Sequence, residues 1–219
     1  MVGPMVAIIF ALRIAQNLNY HKVPMGDEKI LERETAWQLL NEYTRSESLI
    51  KHALSVEAAM RAYARHFGED EQKWGITGLL HDFDYEKNPD PKDHPRVGAG
   101  ILEDRGYPED VIYAILSHAG HLQLARQSLM DKALFAVDEL CGFLTAVTLV
   151  RPGKSIAELP VKSVKKKFKD KAFARNVNRE DIRRGVEELE VELSDHIAFV
   201  RDAMAEVATE LGLAGDVEA

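Results

Sequence analysis

The dipeptide His81-Asp82 closes an apolar run, Trp74-Gly-Ile-Thr-Gly-Leu-Leu-His-Asp. His52 stands upstream and Asp138 downstream, each among apolar neighbours. These four side chains, drawn from three helices, can form a divalent-metal site. Imidazole with carboxylate suits Mn, Fe, Co, Ni or Zn, and Mg gains ground where carboxylates dominate. A bound ion of this kind lowers the pKa of its water and makes a nucleophile at neutral pH. Two more histidines extend the set: His94, in a proline-rich stretch, and His118, at the end of an apolar run. A polar or charged group aimed into an apolar interior is costly unless it is paired or bound to metal. Several in one small domain are hard to explain as separate accidents.

The elements that must position these residues are helices. Nearly every patterned stretch has helical period and none alternates as a strand does, so the fold class is all-α. The pattern predicts helices over residues 28–43, 47–67 and 70–82. Asn88–Pro95 holds three prolines and reads as a loop. A helix follows from Arg96 to about Arg105 and stops at Gly106. Pro108 opens the next, since proline is tolerated in a first turn. That helix runs to about Ala119, with Gly120 as its C-terminal cap. A long apolar helix covers 129–149, ended by Arg151-Pro152-Gly153. The basic segment 161–171 comes next, and one long amphipathic helix spans 179–211. Helical spacing puts His118 on the face of Val111 and Ile115, Asp138 beside Leu134 and Cys141, and His52 among Leu49, Val56 and Ala59. The chain therefore divides into an arm at 1–27, a metal-binding helical core at 28–150, and a basic segment with a long helix at 151–219 packed on that core.

A length of 219 residues suffices for one sizeable core. A net charge of −8 makes duplex nucleic acid a poor partner, because phosphate contacts need a basic footprint. Small phosphorylated substrates stay open, since metals and a local lysine cluster can override the global sign. The single cysteine, Cys141, excludes an intramolecular disulfide and fits a reducing compartment. The apolar run Met5–Leu12 falls well short of the roughly 20 residues a membrane span needs. No basic residue precedes it, as one would in a secretory signal. A cytoplasmic protein with no membrane partner is expected.

Taken as a set, His52, His81-Asp82, His94-Pro95, Ser117-His118 and Asp138 resemble the HD-domain superfamily of metal-dependent phosphohydrolases. The resemblance covers about residues 47–150. It implies a first metal held by His52, His81, Asp82 and Asp138. It implies a second that adds His94 and His118, with Asp82 as the bridge. All six positions are filled, which favours a binuclear site. Many members read His-Asp-Ile-Gly, whereas this chain reads His81-Asp82-Phe83-Asp84-Tyr85-Glu86. Gly106-Tyr107-Pro108 precedes His118 instead of following it, so a cyclic dinucleotide substrate is not inferred. The chain is similar to small HD hydrolases that carry His-Asp-x-Asp-Tyr-Glu and a lysine-rich segment.

The resemblance implies hydrolysis of a small phosphate ester, a nucleotide among the options, by a metal-activated hydroxide. Asp82 would bridge the ions and help orient the hydroxide. Asp84 and Glu86 follow the ligands directly and suit orienting or acid–base work, with helix-end capping an equal alternative. Substrate cations are expected from Arg96, Arg151, Lys166 and Lys169. Most of the run that also includes Lys162, Lys165, Lys167 and Lys171 reads as a solvated face, docked through Val161, Val164 and Phe168. His196 reads as structural or exposed, and His121 as an exposed polar residue with a pocket-facing alternative. His66 suits the negative end of a helix dipole, and His21 lies in the arm. A di-iron oxygenase with the same ligand order is the competing enzyme class. A non-catalytic domain that binds a nucleotide or a protein is the third reading, and it predicts a degenerate ligand set. The amphipathic last helix suits a homodimer.

Overall fold

A computed structural model of the chain describes residues 30–215. The arm at 1–27, with Met5–Leu12 and His21, lies outside the described residues. Among the described residues ten α-helices follow one another: α1 Arg33–Tyr43, α2 Glu47–Phe67, α3 Glu71–Leu80, α4 Arg96–Arg105, α5 Glu109–His118, α6 Leu129–Leu149, α7 Val161–Phe168, α8 Arg179–Glu188, α9 Leu193–Glu206 and α10 Ala208–Leu211. No strand occurs among the described residues. A lone antiparallel bridge pairs Ser155 with Ala214.

The frame is built around α2 and α6, each of 21 residues. α6 begins with a capping box, in which Ser128 accepts from the Asp131 amide and Asp131 accepts from the Ser128 amide. Its sequence is apolar on nearly all sides, and Leu134, Val137, Leu140, Cys141 and Leu144 are fully buried. A helix of that composition belongs in the centre of a core. α3 lies tight against α2. A Cβ on Gly78 would sit 2.9 Å from the Val56 carbonyl oxygen, so only glycine permits the approach. That close packing brings the end of α3 to the first turns of α2.

Most predicted boundaries match within a residue or two. The helix expected over 28–43 is interrupted: Ile30 is helical, Glu32 is extended, and α1 begins at Arg33. The third stops at Leu80, and residues 81–87 form turns, so His81-Asp82 sits just past the regular helix. Gly120 does not cap α5. Ala119 is extended there, and Gly120–Leu122 forms a short 3-10 turn closed by left-handed Gln123.

The largest correction concerns residues 179–211, which form three helices and not one. Glu190 is left-handed at φ 58, and Glu192 is the extended residue before α9. The break lets two faces dock separately. α8 approaches α6 through Gly185, where a Cβ would come within 2.6 Å of the Ala136 Cα. α9 docks through His196, Ile197 and Val200, all buried. The basic segment does form a helix, α7, and buries Val164 and Phe168 while its lysines stay at the surface.

Candidate metal centre

Five elements deliver the six expected ligand residues. His52 lies in the second turn of α2, and Asp138 in the middle of α6. His81 and Asp82 leave the end of α3. His94 precedes α4, and His118 is the last residue of α5. Their polar atoms meet in two triads, His52–His81–Asp138 and Asp82–His94–His118, each with its atoms within 4.8 Å of one another. His52 Nε2 lies 3.0 Å from Asp138 Oδ1 and 3.2 Å from His81 Nε2. Asp82 divides its carboxylate between the two triads. Its Oδ2 lies 3.5 Å from His81 Nε2, while its Oδ1 lies 3.1 Å from His94 Nε2 and 3.3 Å from His118 Nε2.

Three of the four imidazoles are held from behind. His81 Nδ1–H donates to the Gly78 carbonyl at 2.7 Å. His118 Nδ1–H donates to the Ile115 carbonyl one turn back. His94 Nδ1–H donates to Asp84 Oδ1 at 2.8 Å. A carbonyl or carboxylate only accepts, so the proton is on Nδ1, and in the neutral ring Nε2 presents a lone pair. Ligating histidines are commonly oriented in this way. Asp84 is itself fixed, because Oδ2 accepts from the Gly98 amide at 2.9 Å. A Cβ on Gly98 would meet that carboxylate at 2.8 Å, so glycine is required for the cradle.

Electrostatics show how tightly the groups are bound to one another. Burial disfavours the charged form of His81, but the carboxylates of Asp82 and Asp138 outweigh it and raise its pKa. Burial likewise opposes charge on His94, yet the neighbouring carboxylates of Asp82 and Asp84 lift it to about 9. His118 is raised against burial by Asp82. Burial would raise Asp82 and Asp138, but the histidines hold both below the ordinary carboxylate range. The carboxylates thus stay ionised and require positive charge beside them.

The donor set fits a divalent cation better than protons alone. Asp82 Oδ1 is buried and has no hydrogen bond of acceptable geometry, although two imidazole nitrogens lie near it. An N–H on either ring would not point at the oxygen. Lone pairs that converge on a region, instead of donors that aim at acceptors, suit coordination.

A cavity of about 180 Å³ opens over the site. Asp82, His94, His118 and Asp138 line it, together with Tyr85, His121, Phe135, Glu139 and Asp181. The last five lie outside the expected set, apart from the pocket-facing alternative for His121. Glu139 accepts from the Asn178 amide at 3.1 Å, and burial together with Asp138 pushes it up to about 7. Its adjacency to Asp138 was the only hint in the sequence. Asp181 arrives from α8, far along the chain, and no motif marks it.

Asp84 and Glu86 each take one of the two alternatives expected of them, while the expected substrate cations lie away from the cavity lining. Glu86 is exposed and accepts from the amides of Arg45 and Ser46, at 2.6 and 2.9 Å, so it closes the start of α2. Those two amides hold its pKa below the ordinary range. Asp84 orients His94 and does not line the cavity. Arg96, Arg151, Lys166 and Lys169 do not line it either. Arg96 folds over the carbonyls of Pro91 and Lys92, and Arg151 reaches Ser163 Oγ.

Residues 49–142 match the family model of the HD domain, and this part of the chain is an HD domain. Such domains bind divalent metals and are mostly hydrolases. Over 98 residues, 44% of this chain, the sequence is 29% identical to ribonuclease Y of Oleidesulfovibrio alaskensis. The chain covers only 18% of that relative's length. No solved structure matches the chain. No helix among the described residues is long and apolar enough to cross a membrane.

Proposed function

We propose that this protein is a metal-dependent phosphohydrolase that cleaves a small phosphate ester at a two-metal site. The observation that carries the reading is the division of Asp82 between two triads of convergent ligand atoms. His52, His81 and Asp138 would hold one ion, His94 and His118 the other, and Asp82 both. Bound there, divalent ions supply Lewis acidity and a nucleophilic water at neutral pH. The chain's own residues fix the arrangement: Asp84 sets the His94 ring, and the Gly78 and Ile115 carbonyls set His81 and His118.

The cavity supports a small substrate. No lysine or arginine is among its lining residues, so neutralisation of a phosphoryl group would fall to the ions that the two triads would hold. A second or third phosphate would face Glu139 and Asp181. A monophosphate ester therefore fits better than a nucleoside polyphosphate or a nucleic acid, despite the partial likeness to a ribonuclease.

The test is a screen of phosphorylated metabolites after chelation and return of Mn, Co, Ni or Fe. Phosphate release restored by metal, without oxygen uptake, is the expected result. Product formation that needs iron and consumes oxygen would instead support the oxygenase reading. A metal-binding protein with no turnover of either kind would support the non-catalytic one.

A further inference from the structure

Arg126 lies in the segment between the 3-10 turn and α6, and its side chain is only 8% exposed. Its guanidinium makes a fork with Glu188 of α8, Nε to Oε2 at 2.5 Å and Nη2 to Oε1 at 2.7 Å. The remaining nitrogen, Nη1, donates to the Ser117 carbonyl at 2.9 Å. The plane lies over the Phe135 ring, 3.7 Å from its centroid, and Phe135 lines the cavity. One buried side chain therefore ties together α8, the wall of α6 and the residue just before His118.

The position of that carbonyl gives the contact its meaning. The last carbonyls of a helix have no partner within the helix. α5 ends at His118 without a glycine cap, and Ala119 turns away in an extended conformation. Ser117 is fully buried, so water is a poor substitute for Arg126 there. In the other triad, His52 and Asp138 sit in the body of long helices that set their backbone, and His81, at the end of α3, keeps a helical backbone conformation. His118 sits at a helix end that must be held from outside.

We propose that Arg126, clamped by Glu188, is a positioning residue for the second metal site, so that the C-terminal helices control occupancy at Asp82–His94–His118 and leave His52–His81–Asp138 unaffected. The inference rests on the two-metal reading given above. Loss of an outer partner of a metal ligand typically costs about 10- to 100-fold in metal affinity. Arg126→Met keeps bulk over Phe135 but removes every polar bond. Glu188→Gln leaves Arg126 in place and weakens the fork. Arg126→Lys keeps the charge without the fork.

The experiment is a Mn²⁺ titration of the purified full chain and these variants, read by EPR of free Mn²⁺, with circular dichroism and thermal melts alongside. His118→Ala is the control for loss of the second site. The wild type should bind two ions. Arg126→Met should bind one with unchanged affinity and a second about 10- to 100-fold more weakly, short of the full loss of the second ion expected of His118→Ala. Arg126→Lys and Glu188→Gln should fall between. Should Arg126→Met fail to fold, the Glu188→Gln titration decides, because it leaves the core side chain intact. Two ions at wild-type affinity in the folded variants would overturn the positioning role and leave the two-metal reading standing. Equal weakening of both ions would overturn it as well, by showing a general structural effect. A wild type that binds one ion, with His118→Ala indistinguishable from it, would show that the two-metal reading itself had failed and would remove the basis of the inference.

Discussion

Two groups of buried histidines flank the same central helix, and they solve burial in opposite ways. His196 of α9 is 1% exposed and fully satisfied. Its Nε2–H donates to the Ala136 carbonyl at 2.9 Å, and the Tyr63 hydroxyl donates to its Nδ1 at 2.6 Å. Burial holds its pKa down at about 4, so it is neutral and serves as a cross-link between α2, α6 and α9. His81, His94 and His118 are buried too, but only their Nδ1 sides are satisfied, and their Nε2 atoms converge on carboxylates. A buried histidine is therefore not by itself a sign of chemistry. What separates a site from a strut is the direction in which the second nitrogen points and what it finds there.

The sharpest way to break this contrast is to remove the shared carboxylate. Asp82→Ala should abolish binding of both ions and reduce phosphate release roughly a thousand-fold or more, with the helical circular dichroism spectrum retained. Unchanged metal content would erase the distinction between the two histidine groups. Asp84→Ala acts one shell further out, by freeing the His94 ring. It should weaken one of the two ions about 10- to 100-fold, which a metal titration would resolve. Tyr63→Phe reverses the pattern. It leaves the His196 Nδ1 buried without a donor, which should cost about 1–3 kcal/mol in a denaturant melt. Metal content and turnover per folded molecule should stay at wild-type levels.

A smaller effect separates the two groups by pH. The folded pKa of His196 lies below the unfolded value, so its neutral form stabilises the fold above pH 6.5. That contribution is lost as pH falls from 6.5 towards about 4. Between pH 7 and 5.5 the loss attributable to His196 is about 1 kcal/mol. Comparing the melts of the wild type and His196→Leu across that range isolates it, and identical slopes would contradict the assignment.

Four of the six candidate ligand residues were legible because each is a polar side chain placed among apolar residues at helical spacing. Burial without a partner is what a sequence can reveal, and it singles out His52, His81, Asp138 and His118 directly. His94 was legible through its order in the set. The supporting groups were not legible, because their roles depend on where backbone donors fall. Asp84 and Glu86 stand two residues apart, yet one accepts from His94 and Gly98 and the other closes the start of α2. The three-way break of residues 179–211 was hidden for a related reason. Apolar periodicity runs through it unbroken, and the left-handed residue is Glu190, where no glycine or proline marks a turn. Gly185, which does look like a break, lies inside α8 and serves close packing. The lysine run was read correctly as a helix docked by its apolar side, but its charges lie away from the cavity lining.

The central claim is that two triads sharing Asp82 hold two divalent ions while His196 holds none. It is tested most directly by the Mn²⁺ stoichiometry of the purified full chain, measured beside Asp82→Ala and His196→Leu. The account predicts two tightly bound ions in the wild type, two in His196→Leu, and none of comparable affinity in Asp82→Ala. Equal binding in the wild type and Asp82→Ala would contradict it.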